Sequence, residues 1–548
     1  MTDLVVRGGT VVDGTAGAPR RADVAMTGGR IESIGPKLDG DTVLDAGGCI
    51  VAPGFIDIHS HYDAQVFWDP ALTPSSYHGV TTVVAGNCGF TIAPTRPEHH
   101  DIIVKTLENV EDMDAASLTE GIVWDFLTHP QYLDLVRSRG TVINFTAYVG
   151  HSSIRLFVMG DAAYERAATP DEIEQMCRLV VEAIDAGAAG FSTSFAYTHR
   201  GMDGKPVPSR FAARDEVEAL FLAAGSTGKG VVLATAGEQC TYADMYELQP
   251  RIGRPFTYPL FALANDRHRP QLTLHEEAVA RGVQVWPQVT PLPLTMQFTM
   301  DSPFSLNVSP VFGALMDGDR NARLAAYGDP EWRARAAADL AEQPMSPRWE
   351  TCEVSESARF PELEGRRVDE LARERGIGPL DVICELALAE DLNTRFRIYI
   401  ANDDFDPVRD LLTHDQVALG LSDAGAHVGQ LCDAPLPTDL LGTWVRERQV
   451  MPIERAVRKL TGEPADMFGF VGRGYLREGA WADVCVFDPG TVAPGPVRRV
   501  RDFPAGGERL TAEEPVGLRH VLVNGTPIRR DEVQLDTDLR PGMRPELG

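Results

Sequence analysis

The chain has 548 residues, 43% of them hydrophobic and 24% charged, enough to build and solvate a large folded core. Its 79 acidic and 51 basic residues leave a formal charge of −28, which repels a phosphate backbone and argues against nucleic acid as a partner. No apolar run approaches the ~20 residues that cross a bilayer, the Met-Thr-Asp start has neither a basic nor an apolar leader segment, and the scattered cysteines form no Cys-x-x-Cys pair. The expectation is a cytoplasmic protein with no membrane contact, disulfide framework or zinc ribbon.

Residues 3–50 read as short strands (Asp3–Gly8, Thr10–Asp13, Asp23–Met26, Arg30–Ile34, Thr42–Asp45) broken by Gly-Gly and Gly-Pro turns. The runs Ala482–Asp488 and Leu518–Gly525 have the same texture at the far end. Two strand-rich ends around a helix-rich middle suggest one small β domain, a β-sandwich, assembled from residues 1–52 and 473–548.

Between them, in residues 53–472, apolar β runs alternate with amphipathic helices, the pattern of a parallel α/β fold. Candidate strands are Phe55–His59, Thr81–Ala85, Val142–Tyr148, Gly190–Ser194, Val231–Thr235, Phe256–Ala262, Val283–Val289, Arg397–Ile400 and Val417–Ser422. Helices at Pro170–Ala186, Arg214–Thr227, Leu272–Arg281 and Pro379–Ala389 separate several of them. About eight such units make a (β/α)8 TIM-type barrel, whose strand ends share one mouth. No Gly-x-Gly-x-x-Gly follows a strand, so the rival dinucleotide fold has no support. Residues 294–375, rich in Pro and Trp, break the rhythm and read as an insertion, either a lid over the mouth or a surface decoration.

The strand ends carry the chemistry. His59 and His61, in Pro53-Gly54-Phe55-Ile56-Asp57-Ile58-His59-Ser60-His61, lie two residues apart, so in an extended segment both imidazoles face one point. A lone His-x-His also occurs as core or surface histidines. Here Pro-Gly ahead of the strand end, flanking Asp57 and Asp63, and a distant Asp423 favour a metal site. Cys88, between Gly86 and Gly89, offers a thiolate ligand, with a packed structural thiol as the alternative. Asp423, in Ser422-Asp423-Ala424-Gly425, is a carboxylate able to ligate an ion and to move a proton, or else a turn cap. His151, Tyr197 and His427 follow other strand ends as substrate or supporting residues.

With these motifs assembled, the chain resembles the amidohydrolase superfamily and, within it, the N-acyl-D-amino-acid deacylase (D-aminoacylase) branch. The resemblance runs through Leu4–Thr15, Pro53–Asp63, Gly79–Val83, Gly86–Phe90, Val149–His151, Gly190–Thr193, Leu421–Gly425 and Gly474–Asp488. It implies a zinc-bearing barrel with a terminal β-sandwich and hydrolysis of amide-type C–N bonds. It also implies His59 and His61 as metal ligands, Cys88 as thiolate ligand, Asp423 as catalytic acid/base and His151 as an orienting group near the pocket. The chain departs from the branch where the fifth strand ends in Ala236 instead of a histidine and where Phe256–Ala262 has none; His268 and His275 lie in a polar stretch and a helix. Lys205 and Lys229 sit in turns, poorly placed to supply a bridging carboxylated lysine. One zinc per chain is therefore expected rather than two. The leading reading is a metal-dependent hydrolase of an N-acyl amino acid or related small molecule. Its rivals are a non-hydrolytic enzyme on the same fold and a metal-free binding subunit. A homo-oligomer is compatible with all three.

Overall fold

The computed structural model describes every residue except 1, 202, 203, 317, 344, 345, 536 and 537. A nine-stranded sheet joins the two ends of the chain. Its order is Val533–Gln534, Thr526–Arg530, Leu518–Val523, Val484–Phe487, Ile50–Pro53, Leu4–Val11, Arg20–Thr27 and Arg30–Gly35, with Thr42–Asp45 paired to Leu4–Val11. The two short strands expected at 3–13 are one strand, Leu4–Val11, with a register break between Val6 and Gly9. Gly9 is required there, because a Cβ would stand 2.4 Å from Val51 Cγ2. Strand Val484–Phe487 pairs with Ile50–Pro53, so the C-terminal segment lies against the strand that leads into Phe55–Asp57.

The middle of the chain forms two parallel sheets. Phe55–Asp57, Val80–Ala85 and Asn144–Ala147 make one. Val149–Gly150, Gly190–Ser194, Val231–Thr235, Phe256–Pro259, Val285–Val289 and Ala418–Leu419 make the other, each beside its neighbour in sequence. Their strands are continuous runs of buried residues, as a sheet covered on both faces requires. The sheets meet twice. At Tyr148 the third strand changes partners, its N–H donating to Ala85 O at 2.9 Å. At the opposite edges Ser60 bridges to Ala424 and His61 N–H donates to Ala424 O at 2.7 Å. Helices such as Pro170–Asp185 and Arg214–Ser226 bury their apolar stripes against this layer.

Two expected elements belong elsewhere. Arg395–Ala401 pairs antiparallel with Leu294–Thr299 and Glu353–Glu356, and helix Pro379–Ala389 packs on that small sheet. The inserted unit thus runs from Leu294 to Ala401, past the expected boundary at 375, with its own core including Phe298, Phe312, Trp332, Leu371, Ile383 and Phe396. It interrupts the connection between Val285–Val289 and helix Phe405–Thr413. Among the described residues no helix is long and apolar enough to cross a membrane.

Candidate metal centre

His59 follows strand Phe55–Asp57, and three polar contacts fix its segment. Asp57 Oδ1 accepts from His59 N–H at 3.1 Å, and Ser422 Oγ lies 2.6 Å from Asp57 Oδ2 and 2.8 Å from His59 O, tying the first parallel strand to the loop after the last. The His59 ring is oriented by Gln288, whose Oε1 lies 2.8 Å from Nδ1; Gln288 Nε2 in turn donates to Thr257 Oγ1 at 3.0 Å. An amide oxygen can only accept, so Nδ1 carries a proton and Nε2 is the nitrogen turned inward.

Cys88 and Asp423 meet that nitrogen. Cys88 Sγ is 3.7 Å and Asp423 Oδ1 3.1 Å from His59 Nε2, and Asp423 Oδ1 is 3.6 Å from His61 Nε2. The ligand atoms of His59, His61 and Cys88 lie within 4.8 Å of one another, the one such group found among the described residues. Metal–ligand bonds of about 2.0–2.3 Å give a tetrahedron with edges of roughly 3.3–3.6 Å. The approaches of Cys88 and Asp423 to His59 Nε2, and of Asp423 to His61 Nε2, lie near those edges, so His59, His61 and Cys88 form a donor group suited to a divalent ion of the zinc type, with the Asp423 carboxylate beside the two histidines.

Cys88 reaches the centre through a strained turn. It has φ of 56°, and Gly89 packs so tightly that an added Cβ would stand 2.8 Å from Thr193 Cα. Ser192 Oγ donates to Gly86 O at 2.6 Å and accepts from Gly89 N–H at 3.1 Å, pinning the turn from the next strand. Asp423 also has a positive φ, 44°, as do Leu421 and His427.

The charges are mutually dependent. Burial alone would lower the His59 imidazole, but Asp423 and Cys88 lift it to about 10. His61 is likewise buried yet stands well above its ordinary value because Glu111, Asp423 and Cys88 surround it. Against burial, the two imidazoles bring the Cys88 thiol down and hold Asp423 well below the carboxylate range. Two imidazoles facing a thiol and a carboxylate in a buried pocket thus favour one another's charged forms, the charge balance into which a bound cation would also fit. Burial pushes Asp57 up to about 6 and Asp63, which accepts from Gly86 N–H, up to about 7.

The remaining expected residues are distributed differently. His151 is buried away from solvent, with Nδ1 2.8 Å from Thr193 Oγ1 and Nε2 2.9 Å from Glu216 Oε1, and Glu216 also pairs with the buried Arg155. Its contacts orient the strand beneath Gly89 and leave neither ring nitrogen directed at the ligand cluster. Tyr197 is 55% exposed on the loop after Gly190–Ser194. His427 stands beside the centre, with Nε2 3.7 Å from Glu111 Oε2. Sequence reasoning missed Gln288, Glu111, His199 and Thr235. His199 Nδ1 lies 2.7 Å from Ser194 Oγ, and burial followed by the charges of His427 and His61 lowers it to about 3. Thr235 Oγ1 lies 3.9 Å from Cys88 Sγ at the end of the strand that leads into Ala236. His268 accepts from Leu263 N–H, and His275 pairs with Tyr246, each in a separate buried environment.

A family model described as the amidohydrolase family matches residues 42–529. The D-aminoacylase of Alcaligenes xylosoxydans xylosoxydans is 32% identical over 97% of this chain and 95% of its own. Among solved structures, N-acyl-D-glutamate deacylase from Bordetella bronchiseptica, complexed with zinc and a phosphonate mimic of the reaction's tetrahedral intermediate, is 27% identical, with a TM-score of 0.68 over 99% of both chains. A D-aminoacylase structure concerned with a binuclear metal centre, one-metal activation and second-metal attenuation is 26% identical, with a TM-score of 0.68 over 100% of both chains. With a model match across most of the chain and a full-length relative at this identity, the chain belongs to the amidohydrolase family, in its D-aminoacylase branch, and is a hydrolase of amide-type C–N bonds.

Proposed function

We propose that the chain is a single-ion deacylase that hydrolyses N-acyl amino acids, of D configuration as in the names of its relatives, with His59, His61, Cys88 and Asp423 as the ligand set. The observation that carries this reading is the approach of Asp423 Oδ1 to Nε2 of both histidines, at 3.1 and 3.6 Å. We also propose that the two parallel sheets form one closed (β/α)8 barrel, that the nine-stranded sheet folds as a sandwich, and that the enzyme works in the cytoplasm on a soluble substrate.

A zinc-type ion bound by these residues would supply Lewis acidity to the amide carbonyl and to water. Asp423 accepts the proton of the attacking water as the C–O bond forms and delivers it to the departing nitrogen as the C–N bond breaks, releasing a carboxylic acid and an amine. Gln288 holds His59 in the tautomer that leaves Nε2 free. A single ion is supported by the far side of Cys88, where the nearby strand end offers the Thr235 hydroxyl and then Ala236, with no imidazole from Phe256–Pro259.

The test is elemental analysis of the purified protein together with hydrolysis of N-acetyl amino acids of both configurations. About one equivalent of metal and stereoselective release of acetate are expected. Two equivalents would overturn the single-ion proposal, and metal-loaded protein inert toward every N-acyl amino acid would overturn the substrate assignment.

A further inference from the structure

Glu111 is the last residue of helix His100–Glu111, and Asp112 follows it in the left-handed region at φ 49°. A carboxylate there opposes the helix macrodipole, and Asp112 and Asp114 add like charge in the same stretch. Glu111 is nevertheless only 3% exposed. A buried acid at the unfavourable end of a helix needs cationic or donor partners, and two imidazoles supply them. Oε1 lies 3.4 Å from His61 Nδ1, and Oε2 lies 3.7 Å from His427 Nε2. The main-chain oxygen of Glu111 also accepts from His427 N–H at 2.5 Å. Among the described residues the buried His61 Nδ1 has no partner in hydrogen-bond geometry, and Glu111 Oε1 at 3.4 Å is the carboxylate oxygen that stands at ion-pair distance from it.

Resting on the metal-dependent reading above, we propose that Glu111 is a positioning residue of the centre: its carboxylate takes the Nδ1–H of His61, directing Nε2 to the ion, while its other oxygen and its carbonyl fix His427 at the edge of the site. The centre is then asymmetric. His59 is backed by the neutral amide of Gln288 and His61 by a carboxylate, which makes His61 the more strongly donating imidazole. Glu111 also couples ligand orientation to the loop after Asp423, because the same residue touches both.

The experiment uses the full-length protein stripped with a chelator, then titrated with Zn2+ against a competing chelator and, separately, with Co2+ followed by its visible d–d bands. Glu111→Gln, nearly the same in shape, is expected to weaken Zn2+ binding 10–100-fold and to alter the Co2+ spectrum, with Glu111→Asp between it and wild type. A Glu111→Gln protein whose Zn2+ affinity stays within twofold of wild type and whose Co2+ bands are unchanged overturns the proposal, even if its melting temperature falls. Should that variant be insoluble, Glu111→Asp decides by the same two readouts, and wild-type values in both overturn the proposal. Wild-type protein that takes up neither ion refutes the metal-dependent reading itself, and Glu111's role with it.

Discussion

Replacing Asp423 with Asn tests the proposed chemistry most directly, and the backbone dictates the choice of variant. At φ 44° Asp423 lies in the left-handed region, which Asn tolerates about as well as Asp, whereas Ala would add strain of about 1 kcal/mol and confound the result. The substitution keeps the side-chain shape beside His59 and His61 but removes the charge that the two imidazoles hold so far below its usual range. It also removes the only proposed carrier of the water proton. Loss of general acid/base action accounts for about 10²–10⁴ in rate, or roughly 3–5 kcal/mol in the barrier. We expect kcat for an N-acetyl-D-amino acid to fall by at least that factor, measured with metal content brought to the wild-type level so that weaker ligation is not mistaken for lost catalysis. Folding should persist, as read by circular dichroism. A metal-loaded Asp423→Asn enzyme within threefold of wild type would remove Asp423 from the proton path.

Cys88→Ser should weaken Zn2+ binding by at least tenfold if the thiol is a ligand, and chelator competition giving equal affinities would reduce the set to His59, His61 and Asp423. Glu216→Ala strands the fully buried Arg155 guanidinium and removes a partner of His151, which should cost about 3–5 kcal/mol; a denaturant midpoint close to wild type would contradict that. His78, between Thr438 Oγ1 and Ala512 O at 2.8 Å each, is held down at about 4 by burial. Its folded value lies below the unfolded one, so the unfolded chain takes the proton first and stability is lost as pH falls from about 6.5 through about 4, by roughly 2 kcal/mol at pH 5. His78→Gln should flatten this part of the pH–stability curve, and an unchanged slope between pH 7 and 5 would show that other groups carry it.

The parallel strands were legible because a strand covered on both faces is a continuous apolar run, as in Val80–Ala85 and Val231–Thr235. Arg395–Ala401 misleads under the same rule only if its alternation is ignored. Arg395, Arg397 and Tyr399 are partly exposed while Phe396 and Ile398 are buried, the signature of an antiparallel strand with one solvated face. The His59–His61 pair needs only the period of a strand to be read. Gln288 and Glu111 needed the fold: Gln288 comes from a strand 229 residues away, and Glu111 sits in an acidic helix end that looks like a solvated surface. His199, five residues beyond Ser194, was passed over because nothing in its loop marks it as facing the centre.

The residues that fold knowledge had to add are those that keep the ligands still, and the backbone shows why they are needed. Cys88, Leu421, Asp423 and His427 all hold positive φ without being glycine, a conformation that costs of order 1–3 kcal/mol per residue unless its surroundings enforce it. Each strained segment has a clamp from a neighbouring element. Ser192 holds both ends of the Cys88 turn, Ser422 binds Asp57 and the His59 carbonyl, and Glu111 O captures His427 N–H. Gly425 lies so close to His61 that a Cβ would stand 2.8 Å from its carbonyl oxygen, which seats the Asp423 loop directly on the histidine strand. The ligands themselves can therefore be short and few. Their separations are set by hydrogen bonds between strands that the hydrophobic core already holds in register, so a mutation at Ser192 or Ser422, which touch no ion, should loosen the centre more than one at exposed Tyr197.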